Sequence, residues 1–240
     1  MKVEEPTDWC SSLVCMEKLN GTLRLCIDPQ PLNVDLKCCQ YPIPVIAGVL
    51  PDLEGVKVFS KADLKEGFLQ CKLDEKSSIL TTFQTPWGRY RYHRMPYGIK
   101  PAPEVFQQKL SQCLDGLTGI HIIAVDILIT GHGKAFQEAN ADHDKNMRAF
   151  LQSCREMKIS LNKDKFQYKL DSITFIGHVL TTSGLKSDPV KVRAILNMTI
   201  PTSPADVQRL IGMVKFFAKF IPHLSDITEP LRKLTHKHHR

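Results

Sequence analysis

The sequence predicts an α+β fold, because strand-like segments fill the first part of the chain and helical periodicity dominates its last quarter. The 240 residues are 42% apolar and 24% charged, a composition typical of globular proteins that excludes disorder, collagen and coiled coil. Five short β-rich segments, separated by Gly, Pro and Asn-Gly turn signals, are predicted at 22–27, 56–59, 68–73, 79–83 and 89–94.

Helices and further strands are predicted to follow residue 100. Pro101-Ala102-Pro103 begins a helix whose apolar residues recur at helical spacing as far as Gly116. Residues 120–130 predict a strand pair, 142–157 a helix with Met147, Phe150, Leu151 and Cys154 on one face, and 173–180 a strand or hairpin.

A basic helical module is predicted after residue 182. Asp188-Pro189 and Ser203-Pro204 each combine an N-cap residue with proline at the first helical position. Residues 186–240 carry ten Lys/Arg against four Asp/Glu, a net +6, which leaves +1 for the first 185 residues. This cationic segment is suited to nucleic acid, although a solvated helical face explains it equally well. We therefore predict two domains, 1–181 and 182–240.

Several classes of protein are excluded by what the sequence does not contain. Its eight cysteines form no C-x-x-C pair or regular spacing, so we expect reduced packing residues. The longest apolar stretch, 120–129, is broken by His121 and Asp126 and falls short of the roughly 20 residues that cross a bilayer, so no membrane span is predicted. The acidic start is unlike a secretory signal. We expect an intracellular protein, cytoplasmic or nuclear.

Two acids suggest a divalent-cation site. Asp63 ends the strand-like segment 58–62, and Asp126 lies inside an apolar run. A buried carboxylate is costly unless it is paired, hydrogen-bonded or bound to a cation. Mg²⁺ takes a few carboxylates and fills its other positions with water and substrate phosphates. Spacing alone fits a turn-capping role for Asp63 as well.

A series of ordered motifs resembles the reverse transcriptases of gypsy-type long-terminal-repeat retroelements. These motifs are Asp28-Pro29-x-x-Leu32-Asn33, Phe59-Ser60-Lys61-Ala62-Asp63, Leu80-Thr81-Thr82-Phe83, Pro86-Trp87-Gly88-Arg89-Tyr90, Met95-Pro96-Tyr97-Gly98-Ile99, Ala102-Pro103-Glu104-Val105-Phe106, Leu161-Asn162-Lys163-Asp164-Lys165 and Phe175-Ile176-Gly177-His178. The resemblance implies a right-hand polymerase fold with partial fingers and palm in 1–181 and a helical thumb in 182–240. It also implies truncation at both ends, without the first part of the fingers and without the connection and ribonuclease H regions.

The resemblance further implies substrates and roles. The substrates would be an RNA or DNA primer-template and deoxynucleotides, with Mg²⁺ as cofactor. Asp63 matches the first metal-binding aspartate, and Phe68 matches the aromatic gate that packs under the incoming sugar. Arg24 matches the fingers arginine that holds the triphosphate, and Lys18 is a candidate for the neighbouring lysine, where a surface lysine would look the same.

Two further segments match binding elements of the family. Tyr97 and Gly98 match the segment that lines the nucleotide and template pocket. Phe175, Gly177 and His178 lie in a stretch that resembles the primer grip, although strand packing explains the apolar members equally well.

The second metal motif departs from the family pattern of an adjacent Asp-Asp pair. An ungapped alignment places Val125 on the first Asp, which the resemblance implies is one of the two principal metal-bridging ligands, and Asp126 on the second Asp, also a metal ligand. A one-residue deletion is the alternative, but it would turn the rest of the strand over, so we favour substitution. We predict a polymerase fold with little or no polymerase activity. A catalytically inactive nucleic-acid-binding remnant is the alternative, and a poorly folded product of a decayed element is a third.

Overall fold

The computed structural model describes residues 1–18 and 21–235 and divides into two compact units, Met1–Ile176 and Gly177–Arg240. This division falls a few residues before the boundary expected from the sequence. The assignment of 1–181 to fingers and palm and of 182–240 to a thumb stays a prediction.

The secondary structure mixes helices and strands, which confirms the α+β class. The helices are Gln30–Asp35 (α1), Ile46–Val49 (α2), Glu75–Leu80 (α3), Ala102–Cys113 (α4), Phe136–Glu156 (α5), Pro189–Leu196 (α6), Pro204–Lys215 (α7) and Leu224–Lys233 (α8). The strands are Lys2–Val3 (β1), Ser12–Glu17 (β2), Leu23–Asp28 (β3), Val56–Asp63 (β4), Phe83–Thr85 (β5), Gly88–Tyr90 (β6), Ile120–Ile123 (β7), Asp126–His132 (β8), Gln167–Leu170 (β9), Ser172–Phe175 (β10), His178–Thr181 (β11) and Gly184–Ser187 (β12).

The central sheet of the first unit is antiparallel, with strand order β7-β8-β4-β9. Side chains alternate between its two faces. One face carries Ala62, Ile127 and Ile129, which are fully buried in one hydrophobic cluster with Phe150 of α5. Asp63 and Asp126, one position along the strands from Ala62 and Ile127, therefore lie on the opposite face.

Smaller β elements accompany this sheet in the first unit. Strands β2 and β3 form an antiparallel hairpin, and β1, β6 and β5 form a three-stranded sheet. The prediction for residues 22–27 is confirmed by β3 within one residue at each end. Strand β2 was not predicted, because its sequence, Ser12 to Glu17, contains no strict alternation of apolar and polar residues.

Two predicted strands are wrong. Residues 68–73 contain a 3₁₀ turn, Gly67–Gln70, because the chain reverses at Glu66, whose φ is 53°. Within residues 79–83, Ile79 and Leu80 form the end of α3 and Phe83 begins β5; α3 begins because Asp74 accepts a hydrogen bond from the Ser77 N–H at 2.7 Å. Local capping therefore overrides the β propensity of these segments.

The predictions after residue 100 are closer to the structure. Helix α4 and the strand pair β7–β8 are confirmed. Helix α5 begins at Phe136, earlier than expected, and the Glu138 side chain accepts hydrogen bonds from the N–H groups of Lys134 and Ala135 at its start. Its predicted face is right for Phe150 and Cys154, whereas Leu151 is exposed.

The second unit contains the hairpin β11–β12 and helices α6, α7 and α8. The predicted N-caps are confirmed, since the side chains of Asp188 and Ser203 accept hydrogen bonds from backbone N–H groups of α6 and α7. The apolar stripe continues to Ile221, but α7 ends at Lys215. Within residues 1–18 and 21–235, no helix combines the length and apolarity needed to span a bilayer.

Candidate active site

Asp63 and Asp126 lie directly opposite each other at one end of the central sheet. Strand β4 ends at Asp63, β8 begins at Asp126, and the two residues are register partners. Opposite residues of an antiparallel pair have Cα atoms about 4.5–5.5 Å apart and side chains on the same face. The side chains are 14% and 23% exposed, respectively. Two carboxylates from distant segments therefore share one partly open face.

A lysine pairs with each of these carboxylates. Lys61 Nζ lies 2.9 Å from Asp126 Oδ1, and Lys165 Nζ lies 3.2 Å from Asp63 Oδ2. Lys61 precedes Asp63 by two residues and so shares its face of β4. Like charges that face each other destabilise a sheet, so the two ammonium groups offset the repulsion between the acids.

A two-residue turn, Ala124-Val125, joins β7 to β8 immediately before Asp126. Ile123 and Asp126 form the last register pair across it. The φ of Ala124 is 54°, in the left-handed region. Val125 packs partly buried against the core, and its Cγ1 lies 3.1 Å from the place that a Cβ on Gly67 would occupy. The valine therefore faces the 3₁₀ turn that follows β4.

Phe68, Tyr97 and Arg24 come together from three separate segments. The rings of Phe68 and Tyr97 have centroids 5.2 Å apart, and the guanidinium carbon of Arg24 lies 5.0 Å from the Tyr97 centroid. Burial raises the pKa of the Tyr97 phenol, and Arg24 opposes that rise. No carboxylate in the described part of the chain forms an ion pair with Arg24. The cluster thus combines an apolar aromatic surface with a cationic fork of donors.

Gly98 fixes the position of Tyr97 against β3. Its φ is 109°, and a Cβ at this position would collide with the carbonyl oxygen of Ile27. The Ile27 N–H donates to the Tyr97 carbonyl at 3.0 Å, and the Asn33 side chain donates to the Gly98 carbonyl at 2.9 Å. Only glycine fits this close backbone contact.

Comparison with known families gives a match over most of the chain. A family model described as reverse transcriptase (RNA-dependent DNA polymerase) matches residues 14–180. The chain belongs to the reverse transcriptase family. Among its curated relatives, the retrovirus-related Pol polyprotein from transposon opus of Drosophila melanogaster is 34% identical over 213 residues, which are 88% of this chain and 21% of the relative. The transposon Tf2-3 polyprotein of Schizosaccharomyces pombe is 30% identical over 222 residues, 92% and 16% of the two chains.

Solved reverse transcriptases share the fold of this domain. The foamy viral protease-reverse transcriptase dRH in complex with double-stranded DNA gives a TM-score of 0.87 at 22% identity, over 97% of this chain and 40% of that one. The foamy viral protease-reverse transcriptase in complex with RNA/DNA hybrid gives 0.82 at 21% identity, over 97% and 31%. This reverse transcriptase domain spans about a fifth of the length of the first curated relatives that it matches.

Lys18 lies in the turn of the β2–β3 hairpin of this reverse transcriptase domain. Its N–H donates to the Thr22 carbonyl at 2.8 Å. Arg24 pairs with Met16, two residues before Lys18. Within the described residues, no contact joins the Lys18 side chain to Arg24 or to the aromatic pair, so the structure does not bring this candidate to the cluster.

The primer-grip candidates Phe175 and His178 are buried. Phe175 is fully buried in the first unit, with Lys61 Nζ 5.9 Å from its ring centroid. In the second unit, the His178 ring stacks on Phe216 with centroids 4.9 Å apart, and burial lowers the pKa of His178. Gly177 has a φ of 74°, and a Cβ there would collide with a lysine side chain of α6. Neither buried side chain is accessible to a nucleic-acid backbone.

The carboxylates fit one divalent cation better than two. Among the residues that the structure describes, no group of three or more His, Cys, Asp and Glu side chains is arranged to hold a metal. Mg²⁺ is commonly bound by one or two carboxylates together with water and substrate phosphates, which Asp63 and Asp126 satisfy. A two-metal site needs bridging carboxylates, and Val125 supplies no oxygen.

The sequence did not indicate that Lys61 and Lys165 pair with the two carboxylates, or that Gln107 is buried. The position of Lys61 is visible in the sequence, because a residue two positions before Asp63 in a strand lies on the same face as Asp63. Lys165 lies 102 positions from Asp63, and no local pattern indicates their contact. Gln107 looks like a surface residue in the α4 sequence, yet it is fully buried.

Proposed function

We propose that this reverse transcriptase domain binds a primer-template and a deoxynucleotide with Mg²⁺, and that Val125 strongly reduces its nucleotidyl transfer. The observation that carries the proposal is the register pair Asp63–Asp126, next to a turn that presents valine. When bound, Mg²⁺ lowers the pKa of a hydroxyl nucleophile and neutralises phosphate charge.

Each residue of the cluster has a part in this proposal. Asp63 and Asp126 hold the cation, and Arg24 binds the triphosphate through its fork of donors. Phe68 packs under the sugar of the incoming nucleotide, while Tyr97 and Gly98 line its pocket. Residues 1–181 act as fingers and palm, and 182–240 act as the thumb that contacts the duplex.

The expected loss from Val125 is large. Removing even an outer partner of a metal ligand typically costs about 10- to 100-fold in affinity or activity. A missing bridging ligand should cost at least about 100-fold, equivalent to roughly 3 kcal/mol of transition-state stabilisation. The remaining Asp63 and Asp126 would then retain weak binding of one cation.

A second candidate function is nucleic-acid binding without catalysis. The net +6 of residues 186–240 favours it, because phosphate neutralisation does not depend on the metal site. Duplex binding by this mechanism should weaken steeply with salt. Binding that survives Asp63→Asn, with no primer extension by the unmodified chain or by Val125→Asp, would select this second function.

The decisive experiment is primer extension by the purified domain with Mg²⁺ or Mn²⁺, compared with the Val125→Asp variant. We expect little or no synthesis by the unmodified domain and at least about 100-fold more by the variant. Adding Asp63→Asn to the variant is the matched control and should abolish the gain. Robust synthesis by the unmodified domain would refute the proposed impairment.

A further inference from the structure

The side-chain amide of Gln107 is hydrogen-bonded to β7 and to the first residue of the turn that precedes Asp126. Gln107 belongs to α4 and is 0% exposed. Its Oε1 accepts the N–H of Ala124 at 2.6 Å, and its Nε2 donates to the carbonyl of Ile122 at 3.2 Å. The same Nε2 also lies 3.3 Å from Ser111 Oγ. One buried amide thus binds a residue of β7 and the first residue of the turn.

The turn needs this bond because Ala124 has an unfavourable backbone conformation. Its φ of 54° lies in the left-handed region, where the Cβ of a non-glycine residue comes too close to the following carbonyl oxygen. Such conformations persist where the surrounding structure holds them. Within the described residues, Gln107 Oε1 is the acceptor recorded for the Ala124 N–H, which would otherwise be a partly buried donor without a partner.

Helix α4 also contacts the other half of the site. Phe106, the residue before Gln107, forms an edge-to-face contact with Phe68 at a centroid distance of 5.5 Å. The Phe106 ring lies 3.5 Å from the place that a Cβ on Gly67 would occupy, next to the Val125 side chain. Adjacent residues of one helix therefore contact the aromatic gate and the turn before Asp126.

We propose that Gln107 is a positioning residue that holds the Ala124-Val125 turn so that Asp126 faces Asp63. Gln107 lies behind the turn and touches no substrate. Its effect on cation binding rests on the proposed function, whereas its effect on the turn does not. The competing explanation is that Gln107 contributes only to the overall stability of the fold.

Hydrogen exchange separates these explanations without any activity measurement. In Gln107→Met, which preserves side-chain length and removes both polar atoms, peptides covering residues 120–127 should exchange about tenfold faster, while α5 changes much less. Ser111→Ala is the matched control, because it removes the other partner of Nε2 and leaves the Ala124 bond intact. Equal acceleration in the turn and in α5 would overturn the proposal.

Cation binding tests the consequence for the site. Mn²⁺ titrated into the Val125→Asp variant without nucleic acid, followed by electron paramagnetic resonance, should bind about tenfold more weakly when Gln107→Met is added. Ser111→Ala should leave this affinity unchanged. If Val125→Asp binds no Mn²⁺, the proposed function fails, and the exchange experiment still decides the role of Gln107. A loosened turn with unchanged Mn²⁺ affinity would overturn the positioning role.

Discussion

Lys61 Nζ lies 2.9 Å from Asp126 Oδ1, so a divalent cation bound at Asp126, as we propose, would compete with the ammonium group for that carboxylate. Both side chains are less than a quarter exposed, which makes this pair less screened than an ordinary surface ion pair. The pair formed by Lys165 with Asp63 is different, because the Lys165 side chain is 63% exposed.

Replacing Lys61 should therefore raise cation affinity and lower stability. We expect Lys61→Met to bind Mn²⁺ several-fold more tightly and to lose about 1–2 kcal/mol of unfolding free energy in metal-free buffer, because Asp126 and Asp63 then repel each other. Urea unfolding with and without Mn²⁺ measures both effects. Lys165→Met is the control and should lose less than about 1 kcal/mol. An unchanged Mn²⁺ affinity in Lys61→Met would show that the ammonium does not compete.

Gly98→Ala should destabilise the domain far more than Gly116→Ala, although both glycines have a positive φ. At Gly98, strain adds to a collision with the Ile27 carbonyl, so we expect a loss of about 3 kcal/mol or more. Gly116 has a φ of 74°, and nothing lies within 4 Å of the place that an added methyl group would occupy, so Gly116→Ala should cost only about 1–2 kcal/mol. Thermal unfolding gives both values, and equal losses would contradict the steric explanation.

His143 links three elements of the first unit through a buried hydrogen-bond network. Its Nε2 lies 2.8 Å from Ser60 Oγ, which also accepts the Lys169 N–H at 2.9 Å. Burial lowers the pKa of His143, and the neighbouring Asp144 opposes that change. Burial therefore disfavours protonation of the imidazole, which joins α5 to β4 and β9.

The stability of the chain should fall as the pH drops below about 6.5. In the unfolded chain His143 takes up a proton near that pH, whereas the lowered pKa in the folded chain resists uptake, so stability is lost until the folded pKa is reached. His121 and His178 also have lowered pKa values and act in the same direction. The free energy of unfolding, measured with urea at several pH values between 5 and 8, should depend less steeply on pH in His143→Gln than in the exposed control His93→Gln. Identical slopes would contradict the assignment to His143.

Arg24→Lys should weaken deoxynucleotide binding about tenfold, because lysine lacks the planar fork and the ring contact with Tyr97. Arg24 is exposed, so the free energy of unfolding should change by less than about 1 kcal/mol. Binding of a fluorescent deoxynucleotide with Mn²⁺ measures the effect. Arg89→Lys, on an exposed part of β6, is the matched control. A loss of binding matched by an equal loss in Arg89→Lys would exclude a specific role for Arg24.

The sequence allowed prediction of the site where its residues lie in recognisable motifs. Asp63, Asp126 and the cluster of Arg24, Phe68 and Tyr97 were predicted in this way, although their distances required the structure. Lys165 was not predicted, because its contact with Asp63 depends on how the chain returns to the sheet.

The failures in secondary structure have a common physical cause. Residues 79–83 are rich in β-branched side chains and residues 68–73 in apolar ones, but short-range hydrogen bonds decide their conformation. Asp74 caps α3, and Glu66 adopts a positive φ before the 3₁₀ turn. Single side chains at chain reversals outweigh the average propensity of the segment that follows.

The contact of Val125 with Gly67 limits which residues position 67 can accept. A Cβ there would lie 3.1 Å from Val125 Cγ1, so a larger residue requires that methyl group to move by a few tenths of an ångström. Packing alone therefore opposes substitution at a residue that adjoins Phe68, whatever the activity of the chain.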